Sequence, residues 1–115
     1  MLQQKLYDAL NGTITGSINA LKAPQDTPKP YSIYRTIADT NALNADGMDL
    51  SYNEVRFQID TYAKTLTEIY SILSEIETII IASTKFNAII YQKFDDIENE
   101  EFRGVLDFKL IKRTA

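Results

Sequence analysis

The sequence predicts an α+β fold: a mainly antiparallel four-stranded sheet in two hairpins, packed on one face by a long amphipathic helix and a short N-terminal helix. Three observations predict it. Two segments, NEVRFQIDTY (53–62) and the stretch holding Phe102, Leu106, Phe108 and Leu110, alternate apolar with polar residues, the period of a half-buried strand. Between them Leu66, Ile69, Tyr70, Leu73, Ile76 and Ile80 recur at the three-and-four spacing of one helix face. The 115 residues, 44% hydrophobic and 24% charged, are enough to enclose one core, so a single domain over residues 1–115 is expected.

The chain opens with Leu2, Leu6, Ala9 and Leu10 at helical spacing, and Asn11 with Gly12 supplies a stop. Residues 13–30, TITGSINALKAPQDTPKP, read as an irregular connector with at most a turn of helix around Ile18 to Leu21. Tyr31 to Ile37 is the first strand, with Pro30 at its start, where no ladder donor is lost. The next segment, Ala38 to Asp49, is rich in Asn and Asp and carries Asp46-Gly47; composition predicts a flexible hairpin loop.

The second strand, 53–62, directs Val55, Phe57 and Ile59 to one face and Arg56, Gln58 and Asp60 to the other. Thr65-Leu66-Thr67-Glu68 has the form of a capping box, so the long helix is expected to begin there. A third strand is expected from Phe86 to Phe94, followed by the acidic turn DDIENEE (95–101) and the fourth strand. Tyr34, Tyr62 and Tyr91, with Ile89 and Ile111, are assigned to the face opposite the core, where tyrosine favours a partner.

Composition excludes much chemistry. Without histidine or cysteine there is no imidazole base, thiol nucleophile, disulfide or usual zinc set. The glycines fit neither a P-loop nor a dinucleotide fingerprint, and neither acidic segment has the ligand spacing of a calcium loop. No enzymatic activity, metal or cofactor is expected. A net charge of -4 opposes binding to nucleic acid through phosphates, and no apolar run approaches the roughly 18 residues of a membrane span.

In order, LYDAL, the proline-led APQDTPKPYSIYRTI, DGMDLSYNEVRFQIDTYAKT, and the acidic turn into GVLDFKL resemble the tail terminator, or tail completion, proteins of long-tailed bacteriophages over nearly the whole chain. The resemblance implies a virion protein at the head-proximal end of the tail, made in the host cytoplasm. It implies a homo-hexameric ring that stops tail-tube polymerisation and joins the tail to the head-side connector or neck protein, with DNA passing through the lumen unbound. A neck or head-closure role, and a dimeric α+β binding module, are the alternatives. Residues expected at the subunit or tube interface are Arg35, Asp46, Arg56, Asp60, Tyr62, Asp95, Asp96, Glu98, Glu100, Glu101 and Arg103. Acidic and basic groups among them would serve as the unlike edges that a ring contact requires.

Overall fold

The structure is a computed structural model that describes residues 2–43, 49–98 and 100–113. Helix α1 (Leu2–Leu10) is followed by strands β1 (Ser17–Ala20), β2 (Tyr31–Leu43) and β3 (Asp49–Ala63), helix α2 (Leu66–Ala82), and strands β4 (Asn87–Glu98) and β5 (Glu101–Arg113). The five strands form one sheet in the order β1-β2-β3-β5-β4. This corrects the expected four-stranded, mainly antiparallel sheet, because β1 joins as an edge strand parallel to β2, with Ser17 beside Tyr31 and Ala20 beside Tyr34.

The extra strand lies in the connector that reads as irregular. Within SINA only Ile18 is buried, so there is no apolar alternation to find; the strand is held by backbone pairing to β2, which is indifferent to side-chain type. Gly16 makes the approach possible. Its φ of 87° suits glycine, and the carbonyl of Pro30 lies where a side chain would begin.

Two further boundaries differ from expectation. β2 continues to Leu43 and β3 begins at Asp49, so the described part of the supposed flexible loop is paired strand, with Thr40 opposite Glu54 and Asn41 opposite Asn53. Bulges between Thr36 and Ala38 and between Asn41 and Leu43 absorb the irregular sequence without ending the ladder. Asp46 and Gly47 lie outside the described residues. β4 likewise runs on to Glu98, placing Asp95 and Asp96 in the ladder opposite Gly104 and Arg103 rather than in a turn.

Helix α2 is capped by Thr65, whose side chain accepts from the Glu68 amide at 3.2 Å. The Glu68 carboxylate accepts from the Lys64 amide at 3.3 Å, one residue before the amide that a capping box would use. Despite their low helix propensity, Ile79 to Ile81 stay helical, with Ile80 fully buried; packing overrides propensity here.

Both helices contribute to one core with the sheet: Leu2, Leu6 and Leu10 from α1, Ile69, Ile72, Leu73, Ile76 and Ile80 from α2, and Val55, Phe57, Ile59, Leu106, Phe108 and Leu110 from the central strands. Phe57 and Phe108, directly paired, stack with ring centres 5.7 Å apart. Helix α2 crosses β5 closely at Gly104, where a Cβ would stand 2.5 Å from Ile69 Cγ2 and 2.9 Å from Leu73 Cδ1. Tyr34 also belongs to this side, against the expectation that it faces away. Its partner across the ladder is Ile59, which fixes its face, and its ring lies 6.3 Å from Tyr7 of α1.

Candidate functional site

With the helices on one side, the opposite face of the sheet carries a connected array of charged side chains. Strand alternation puts Ile33 and Arg35 of β2, Arg56, Gln58, Asp60 and Tyr62 of β3, and Arg103, Val105, Asp107 and Lys109 of β5 on this face. One row crosses four strands. Arg35 Nη2 lies 3.2 Å from Asp60 Oδ2, Arg103 Nη1 is 4.0 Å from that same oxygen, and Arg103 grips Asp96 with two hydrogen bonds of 2.9 and 2.6 Å. Gln58 Nε2 donates to the other Asp60 oxygen at 2.9 Å.

The next row is built on Asp107, which accepts two hydrogen bonds from Arg56, 3.0 and 2.7 Å, and one from Gln92 at 3.1 Å. The Arg56 guanidinium lies 4.6 Å from the centre of the Tyr91 ring, and Lys109, paired with Glu54 at 2.6 Å, reaches the same ring. Two carboxylates are thus nearly enclosed on a face that no helix covers: Asp60 is 2% exposed and Asp107 5%. The long arginine side chains beside them take the place of water, supplying cationic donors to both carboxylates.

The Arg56 hydrogen bonds hold the Asp107 carboxyl below the usual carboxylate range, against the opposing effect of burial; Arg103 does the same for Asp96. A carboxyl with a lowered folded-state pKa adds stability above its unfolded value, near 3.8, and loses it as pH falls through the folded value. Asp107→Asn is therefore expected to flatten the loss of stability between about pH 5 and pH 3, measured by urea denaturation across that range. An acid limb as steep as that of the parent chain would show that Asp107 does not contribute to it.

At the β4 edge this face is apolar: Ile89, Tyr91 and Phe94 are each more than 40% exposed, and Val105 is buried between its ladder partners Asp60 and Phe94. Tyr31 and Tyr62 stack at the other end, 5.2 Å apart. Of the interface residues expected from sequence, the fold gathers Arg35, Arg56, Asp60, Tyr62, Asp96 and Arg103 on this face. It separates the others. Asp95 points to the helix side and accepts from Tyr70 Oη at 3.1 Å, Glu101 pairs with Lys29 at 2.7 Å, and Glu100 is exposed at the β4–β5 turn. Asp46 and the Glu98 side chain lie outside the described residues.

Sequence reasoning missed Asp107, Gln92, Glu54 and Lys109 as members of the array. A signal for Asp107 existed, since it shares strand parity with Arg103 and Lys109. Every carboxylate in the two rows is held by a cation, and among the described residues no group of three acidic side chains is placed to hold a metal.

Over residues 4–112 the sequence matches the family model of tail completion protein gp17. The chain belongs to that family. As a tail completion protein it is a structural component of a phage virion, associated with the tail, and its family is not a class of enzymes. No curated protein matches it. A solved structure from Akkermansia muciniphila, described as being without its transmembrane region, is 8% identical with a TM-score of 0.40; the match covers 70% of this chain and 45% of that one. That likeness is too distant to inform the tail completion protein. No described helix is long and apolar enough to cross a membrane.

Proposed function

We propose that this tail completion protein forms a ring, a homo-hexamer by its family resemblance, that caps the tail tube, ends its polymerisation and joins the tail to the head-side connector. The family match over residues 4–112 carries this reading. The sheet supports it, because its two edges are unlike. One is β4, twelve residues long, flanked by exposed Ile89, Tyr91 and Phe94; the other is the four-residue β1, past which the outer edge of β2 continues. A closed ring is built from heterologous contacts, in which one edge meets a different edge of the next copy.

On this reading the uncovered face, with Arg35, Arg56, Asp60, Tyr62, Asp96 and Arg103, meets the neighbouring subunit or the tube. Its aromatic rings supply contact area and its paired charges select the partner. The chain's net charge of -4 lets DNA slide through the lumen without adhering. Deleting the gene from its phage and imaging the particles tests the role: overlong or headless tails are expected. Tails of normal length with heads that leak DNA would overturn it in favour of head closure.

A further inference from the structure

The two ends of the β4–β5 hairpin are chemically opposite. At one end Asn87 pairs with Ile111, and Lys5 of α1, Lys85 of the α2–β4 turn and Lys112 of β5 line a concavity of about 360 Å³ together with Thr84, Phe86, Asn87 and Ile111. Lys5 and Lys112 are close enough that Lys5 pushes the Lys112 ammonium below the usual lysine range. Among the described residues none of these three lysines has a carboxylate partner. Two like charges held together oppose folding, and an anion placed between them would remove the opposition.

At the other end Glu98 pairs with Glu101 across the tight turn, and Glu100 occupies it with φ 64°, exposed and without a cationic partner among the described residues. About eleven residues of extended β5 separate Glu101 from Lys112, on the order of 36 Å. A basic socket and an acidic tip therefore lie at opposite ends of one hairpin.

We propose that the socket lined by Lys5, Lys85 and Lys112 seats the acidic β4–β5 turn of a second copy, led by Glu100, joining subunits head to tail. The occupant is argued from charge complementarity within this chain: a chain of net charge -4 concentrates unpartnered cations at one place and presents a carboxylate at the far end of the same element. Socket and tip are different surfaces, so the contact is heterologous and propagates around a ring. The proposal rests on the ring reading for closure, and names the contact that would close it.

Charge reversal tests it. Glu100→Lys and Lys112→Glu, singly and together, are compared by native mass spectrometry and sedimentation over a concentration series. Each single variant is expected to weaken association roughly tenfold or more by setting like charges together, and the double variant to recover it to within a few-fold. Lys112→Glu removes the clash with Lys5, so its monomer should melt no lower than the parent; Lys112→Gln, expected to give a smaller loss, serves if it does not fold. Assembly insensitive to both reversals, or no recovery in the double variant, would overturn the contact while leaving the ring reading intact. A parent chain that stays monomeric at every concentration overturns both. A dimer showing the same recovery supports the contact and overturns the ring. Capture of a double-stranded DNA fragment that Lys112→Glu abolishes, with assembly unchanged, would reassign the socket to phosphate.

Discussion

Gly104→Val is expected to destabilise the protein by about 3 kcal/mol or more, lowering Tm by about 10 °C or more. The first added carbon alone would stand 2.5 Å from Ile69 Cγ2 and 2.9 Å from Leu73 Cδ1. Both neighbours are fully buried and packed against the rest of the core, so neither can swing away. Relief requires α2 to lift from β5, which would open the contacts of Ile72, Ile76 and Ile80 along the same helix. Urea denaturation of the purified variant measures the effect. A change below about 0.5 kcal/mol, the range of an ordinary surface substitution, would mean that α2 does not lie this close to the sheet.

The second large effect is expected at Gly16. Alanine there must adopt φ 87°, outside the region comfortable for a residue with a side chain, and its Cβ would press on the Pro30 carbonyl, an obstacle made of backbone. About 2–4 kcal/mol is expected from the two penalties together. The damage should be local at first. Amides of Ser17 to Ala20 should lose protection from hydrogen exchange while those of β3 and β5 keep theirs, since β1 touches the sheet only through β2. Unchanged protection at Ile18 would argue against the parallel pairing.

The physics explains which features were legible in the sequence. Val55, Phe57 and Ile59 alternate with Arg56, Gln58 and Asp60 because one side of β3 faces the core and the other does not, and the cap at Thr65 is local chemistry within four residues. β1 was hidden because its pairing is a backbone property, and Ile18 alone cannot make a pattern. Tyr34 was misassigned because both parities of β2 carry large side chains, Tyr31 and Ile33 on one and Tyr34 on the other; only pairing with Ile59 decides between them. In the charged array the arginines were visible as interface candidates. For Asp107 only its strand parity was visible; its enclosure by Arg56 and Gln92 was not, because Gln92 lies fifteen residues away in sequence, on another strand.

The hollow at Gly104 has a consequence for how the chain finds its pairing. Strands β3 and β5 could slide past one another by two residues without turning any side chain to the wrong face, the kind of error that alternation cannot detect. In the native alignment Gly104 stands opposite Thr61, beneath α2. A two-residue slip one way would carry Leu106 into that place, and the other way Phe102, each too large for the space that Ile69 and Leu73 leave. One missing side chain thus works as a keyway for the folding chain: α2 can close over the sheet only when the central strands have met in a single alignment.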